Sequence, residues 1–126
     1  MNDRKLKSEP FPAGKYYIGD LCYEFTNEMW EKFCKKTSSV DGRVMFKGID
    51  VWFTGTYMGD GLWIANNGKQ YGCDSGSLGI FRVNDCVKST NVPAYSHLEE
   101  FKSDFMVSYN NGIFNFGHIK INTRIN

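Results

Sequence analysis

Residues 49–83 read IDVWFTGTYMGDGLWIANNGKQYGCDSGSLGIFRV, and this stretch decides the architecture. Runs rich in Trp, Tyr, Phe and Ile alternate with glycine turns at Gly59-Asp60-Gly61, Asn66-Asn67-Gly68 and Asp74-Ser75-Gly76. Aromatic and β-branched residues suit a half-buried pleated surface, while Gly, Asn and Asp supply the backbone conformations of tight turns. Leu62–Ala65 and Lys69–Cys73 flank Asn67-Gly68, a hairpin signal in which both central residues are expected at positive φ. Ser77–Val83 makes a further strand. The spacing describes antiparallel β structure and says little about chemistry.

Upstream, Arg43 onward already runs at period two. Val44 and Phe46, then Val51, Phe53 and Tyr57, predict two strands meeting near Gly48. Before them lies one helix. Thr26 caps it, Glu28 and Glu31 suit its positive end, Lys35 and Lys36 suit its negative end, and Met29, Trp30, Phe33 and Cys34 form the stripe that docks on a sheet. Lys15–Gly19 reads as a short strand with Tyr16 and Tyr17 on opposite sides. Residues 1–13 are charged and end in Pro10-Phe11-Pro12, so they are expected as a flexible N-terminal arm ahead of a single β-rich domain over 14–126.

Downstream, Ser96-His97-Leu98-Glu99 matches a capping box and predicts a short helix over Leu98 and Phe101. Asp104–Asn110 and Ile113–Asn122 form a second hairpin around Asn111-Gly112. In its second arm Phe114 and Phe116 share one face while Ile119 and Ile121 share the other, and a β-bulge at Gly117 would reconcile them. The total is seven or eight strands and one helix: an α+β, mostly β chain forming a strongly bent antiparallel sheet or small barrel with one covering helix. No crossover helices separate the strands, which excludes a parallel α/β fold.

Composition sets further bounds. The 126 residues can bury a real core without staples. Fifteen basic and fourteen acidic side chains leave a formal charge of +1, which argues against general DNA binding and attraction to anionic membranes. The polar N-terminus has no apolar signal region and no run reaches membrane-span length, so a cytoplasmic location is expected, with Cys22, Cys34, Cys73 and Cys86 as free thiols. These cysteines lack the paired spacing of a zinc site, and no metal or cofactor is expected.

Asp20, Asp60, Asp74 and Asp85 each sit at a strand end or glycine turn, where aspartate ordinarily accepts bonds from its own turn. If they converged, they would offer acid–base chemistry or oxygen ligands. Ser75 in Gly72-Cys73-Asp74-Ser75-Gly76 lacks the glycine spacing of a nucleophile elbow. His118, beside the proposed bulge, is a candidate base or an outward-facing histidine. Aromatics make up 16% of the chain, more than a core of this size needs, so Trp52, Tyr57, Trp63, Tyr71 and Tyr109 are expected to present some of their rings for recognition. With Asp74, Ser75 and His118 they form the candidate binding set.

Three segments carry a family resemblance: the opening from Phe11 to Tyr23 with Trp30 and Phe33 after it, Tyr57–Trp63, and Tyr71–Gly79. Together they resemble small proteins common in phages and mobile elements. The resemblance covers about a third of the chain and implies a phage association, but no activity or catalytic residues.

The leading expectation is a non-enzymatic binding protein. If phage-borne, it would antagonise a host defence or regulatory system by covering a host protein or by sequestering a small nucleotide-like ligand. The alternatives are a small hydrolase using Asp20, Asp60, Asp74 or His118, which requires at least two of them to meet in one pocket, and a virion-associated or structural protein forming a homo-oligomer.

Overall fold

The computed structural model describes residues 4–37, 41–83 and 95–125. Among the described residues it is mostly β, with one helix and three sheets. The elements are β1 (Lys5–Phe11), β2 (Gly14–Gly19), a 3-10 turn (Leu21–Tyr23), α1 (Asn27–Lys36), β3 (Gly42–Phe46), β4 (Ile49–Gly55), β5 (Gly61–Ile64), β6 (Gln70–Cys73), β7 (Ser77–Arg82), β8 (His97–Phe101), β9 (Phe105–Asn110), β10 (Ile113–Phe116) and β11 (Ile119–Asn122). All pairings are antiparallel. The strands form a five-stranded sheet, β3-β4-β7-β2-β8, a four-stranded sheet, β1-β9-β10-β11, and the β5–β6 hairpin. The bent sheets do not close into a barrel.

Alternation along the five-stranded sheet sends successive side chains into two cores. Tyr16, Ile18, Trp52, Leu78 and Ile80 point towards the four-stranded sheet and meet Val107, Tyr109, Phe114, Phe116, Ile119 and Ile121. The Trp52 indole is edge-on to Phe114 and Phe116, at 6.1 and 5.7 Å. Trp63, Tyr71 and Cys73 of the β5–β6 hairpin join this core. The opposite face carries Tyr17, Val51, Phe81 and Phe46, packed with Leu21, Phe25 and Phe33. Helix α1 begins as expected, with Thr26 Oγ1 accepting from the Met29 N–H at 3.2 Å. Phe33 is its one buried residue; Met29 and Trp30 pack half-buried, and Cys34, expected in the stripe, is exposed.

Four local expectations need correction. Residues 5–11 are a strand, not part of a flexible arm, and β1 pairs with β9 at the edge of the four-stranded sheet. An edge position tolerates Pro10, which lies opposite Met106. Leu6 and Phe11 are five apart and would face opposite ways in a regular strand. A register shift between Leu6 and Glu9 brings Leu6 opposite Tyr109 and Phe11 opposite Phe105, so both face the core.

The predicted helix over Leu98 and Phe101 is strand β8. Pairing of Gly14–Ile18 with His97–Phe101 satisfies the free edge of β2, and this long-range ladder overrides the local capping signal. Gly117 is not a bulge. With His118 it forms a two-residue turn between β10 and β11, so Phe116 pairs with Ile119, and Phe114 with Ile121. Positive φ at Gly117 alone fits a type II′ turn, and the turn accounts for the change of phase.

The two Asn-Gly dipeptides also differ. Asn111 and Gly112 both have positive φ, 46° and 92°, as a type I′ turn requires. In Asn66-Asn67-Gly68 only Gly68 does, and the Ala65 N–H bonds the Lys69 carbonyl across a three-residue loop. That loop leans on β11: the Asn66 side chain accepts from the Lys120 N–H at 2.8 Å and donates to the His118 carbonyl at 2.9 Å.

Candidate functional site

At one end of β2 the chain leaves the five-stranded sheet through Asp20, which is fully buried. One carboxylate oxygen accepts from the Cys22 N–H at 3.0 Å and the Ser75 hydroxyl at 2.7 Å. The other accepts from the Asp74 and Ser75 N–H groups, both at 2.8 Å. The Tyr17 hydroxyl donates to the Asp20 carbonyl at 2.6 Å. Asp20 therefore fastens the 3-10 turn to the β6–β7 turn, far away in sequence. Four donors occupy its two oxygens, so the carboxylate serves as a structural clamp. Ser75, held by Asp20 and 3.0 Å from the Ser77 hydroxyl, has no imidazole partner and is not set up as a nucleophile.

This clamp brings Tyr23 beside Asp74 and shapes one wall of a hollow of about 370 Å³, lined by Tyr23, Gly61, Leu62, Gly72, Cys73, Asp74 and Tyr95. Burial and the hydrogen-bonded Asp74 carboxylate push the Tyr23 phenol well above the ordinary tyrosine value. The Gly72 N–H donates to the Tyr95 carbonyl at 2.9 Å. A Cβ on Gly72 would lie only 3.2 Å from Gly61, Leu62 and Tyr95 atoms, so glycine sets the floor of the hollow. Burial, reinforced by the Asp20 charge, pushes the Cys22 and Cys73 thiols up to about 12, and neither is a thiolate near neutral pH.

A second hollow of about 380 Å³ adjoins the first through Leu62 and runs past Trp63, Ile64, Gln70, Asn122 and Ile125. Its rim is apolar and open: Ile64 and Ile125 are each 68% exposed and Leu62 40%. A third hollow, about 710 Å³, lies at the β10–β11 turn, where Phe101, Phe105 and Met106 share the lining with Glu100, Lys102, Asp104 and His118. Asp104 there accepts from the Ala13 N–H at 3.0 Å.

The candidate residues do not form one site. Trp52, Trp63, Tyr71 and Tyr109 are buried, contrary to the expectation that surplus rings would be presented for contact. The reason is that the chain builds two cores and a hairpin layer, which together consume the aromatic area. Tyr71 is pushed up to about 12 chiefly by burial. Tyr57 is half-buried with the Arg124 guanidinium 5.0 Å over its ring. Asp74 lines the first hollow, Ser75 lines a separate one beside Trp30, Phe33 and Phe53, and His118 lines the hollow at the β10–β11 turn, its ring 5.6 Å from Phe101. Asp20 and Asp74 are neighbours, but no imidazole joins them and Asp20 is saturated. Asp85 and Cys86 lie outside the described residues.

Tyr23, Leu62, Ile64 and Tyr95 were not anticipated. The run Leu62-Trp63-Ile64 carried the signal, since a strand with a buried Trp63 and apolar residues on both sides of it must expose the latter. Among the described residues no group of three or more His, Cys, Asp or Glu side chains is arranged to hold a metal ion, and no helix is long and apolar enough to cross a membrane. Comparison with protein-family models, with curated proteins and with solved structures finds no match to this chain.

Proposed function

We propose that this protein acts by binding a partner protein through the β5–β6 hairpin, and not by catalysis. The supporting observation is the exposed apolar rim of Leu62, Ile64 and Ile125, with the 42% exposed Tyr95 beside it, around two hollows that share Leu62. Contiguous apolar surface rimmed by polar groups is the usual character of a protein interface. The sequestering of a nucleotide draws less support, because the rings that would stack on a base are packed inside. As an antagonist of a host system, the protein would work by occluding its partner's surface.

The reading is tested by affinity capture from host lysate with the wild-type chain and with an Ile64→Lys/Ile125→Lys variant. Both positions are exposed, so the fold should survive. A partner retained by the wild type and lost by the variant supports the proposal; equal retention by both, or no partner at all, removes it. Mass measurement in solution separates this from a self-assembling structural role.

A further inference from the structure

We propose that the tip of the β5–β6 hairpin is a self-modification site, at which Asn67 deamidates through a cyclic imide closed by the Gly68 backbone nitrogen, while the second Asn-Gly pair, Asn111-Gly112, is protected by the fold. The chemistry does not depend on whether the hairpin binds a partner.

The reaction needs only water and hydroxide. Hydroxide removes the Gly68 amide proton, and the nitrogen attacks Cγ of Asn67. The new C–N bond displaces the side-chain nitrogen, which leaves as ammonia with a proton from water. Water then opens the imide at either carbonyl. One opening gives aspartate; the other gives isoaspartate, in which the main chain runs through Cβ and Cγ and is longer by a methylene. Nothing is oxidised or reduced.

Access favours Asn67. Asn66, Asn67, Gly68 and Lys69 are all exposed, and a Cβ built on Gly68 would meet nothing within 4 Å. Orientation favours it as well. The Asn67 Oδ1 accepts from the Lys69 N–H at 3.0 Å, which folds the side-chain carbonyl back over the Gly68 peptide and shortens the search for the attacking geometry. That same N–H donates to the oxygen on which negative charge develops as nitrogen adds to Cγ, the place of an oxyanion donor. The departing nitrogen is held only by a long bond of 3.4 Å to the Tyr71 hydroxyl. One contact opposes the reaction: the Gly68 N–H donates to the Ala65 carbonyl at 3.0 Å and must be released first. A single turn bond at an exposed hairpin tip opens at little cost.

Asn111-Gly112 is the same dipeptide in opposite surroundings. Gly112 is buried, and a Cβ placed on it would lie 2.7 Å from atoms of both Arg124 and Tyr57. The Asn111 N–H donates to the Arg4 carbonyl at 2.7 Å, and the Gly112 carbonyl accepts from the Thr123 N–H at 2.8 Å. Hydroxide reaches this nitrogen only if the turn parts from both ends of its sheet. Asn111 should therefore react about tenfold more slowly than Asn67, or slower still.

Either product places a carboxylate where Asn67 stood, near Lys69 and Tyr71. Isoaspartate also lengthens a loop that Asn66 ties to β11, so the hairpin carries a chemical clock.

The test is timed incubation of the folded protein across a series of pH values, followed by digestion under mildly acidic conditions and peptide mapping by mass spectrometry. The expected result is amide-to-acid conversion at residue 67 as a mixture of aspartate and isoaspartate, at a rate proportional to hydroxide, with Asn111 about tenfold behind. In urea the two sites should converge to similar rates, which shows that the fold and not the dipeptide separates them. Asn67→Gln should abolish conversion at this position, and its exposed side chain leaves the fold intact. Asn111 converting as fast as Asn67 in the folded protein would overturn the proposal. So would Asn67 reacting more than about tenfold faster in urea than in the fold, or aspartate forming without isoaspartate, which would mean direct hydrolysis.

Discussion

On one face of the five-stranded sheet, Trp52 and its neighbours meet a second sheet and a hairpin; on the other, Phe81 and its neighbours meet Leu21, Phe25 and a helix that contributes one buried side chain, Phe33. Both faces are rich in aromatic rings, yet the first is closed by long-range strand pairing and the second by a short 3-10 turn and a ten-residue helix. A helix of that length has little stability apart from its docking. The difference teaches that aromatic content does not measure cohesion. What matters is whether the covering layer can leave without dismantling a ladder of backbone bonds.

The sharpest way to break this contrast is to truncate one ring on each face. Trp52→Ala should cost roughly 3–5 kcal/mol in urea unfolding and threaten folding altogether, because rigid sheets on both sides cannot collapse onto the cavity. Phe33→Ala should cost roughly 2–3 kcal/mol and release α1, seen as hydrogen exchange accelerating in the helix ahead of the strands. Equal costs with a single cooperative exchange pattern would show the two faces to be one unit.

A smaller effect is expected where the two sheets are pinned at their margin. Arg4 reaches from the start of β1 to Asp41 at 2.5 Å and the Gly55 carbonyl at 3.2 Å, and Thr54 donates to the same Asp41 oxygen at 2.6 Å. Burial alone would raise the Asp41 pKa, but the bonds from Thr54 and Arg4 and the Arg4 charge outweigh it and hold the carboxyl below its ordinary value. A carboxylate with a depressed folded pKa adds stability above its unfolded value, near about 4, and loses it as pH falls through the folded one. Asp41→Asn should therefore cost roughly 1 kcal/mol at pH 7 and flatten the decline of stability below about pH 4. A variant with an unchanged acid profile would show that this seam contributes nothing.

The mildest test is chemical. Cys34 is exposed on the helix side, whereas Cys22 is half-buried and Cys73 is buried, with both thiols pushed up to about 12. Iodoacetamide at pH 8 should label Cys34 ahead of Cys22 and leave Cys73 almost untouched until unfolding. Early labelling of Cys73 would place the hairpin among the loosely held parts.

The elements legible in the sequence were those specified within a few residues of themselves. Thr26 marked the helix start, Asn111-Gly112 marked a type I′ turn, and the alternation of Tyr16 with Tyr17 divided β2 between two cores. Elements that depend on a distant partner were misread. β1 hides its period behind a register shift, and β8 resembles a helix start until β2 offers its edge. The candidate hollow was partly legible, because Asp74 in a glycine turn stood out. Its other wall was not: Tyr23 and Tyr95 become neighbours of Asp74 only through the Asp20 clamp and the Gly72–Tyr95 bond.

The register of β1 has a consequence for synthesis. Lys5 pairs with Asn110, so β1 finds its partner only after every strand from β2 to β9 has been translated. At about 5–20 residues per second, Leu6 and Phe11 wait roughly 5–20 s on the nascent chain before their sheet exists. During that interval the amino-terminal segment is open to chaperones or to a neighbouring copy, and an extension fused ahead of it would be felt first as slower maturation, not as a weaker finished protein.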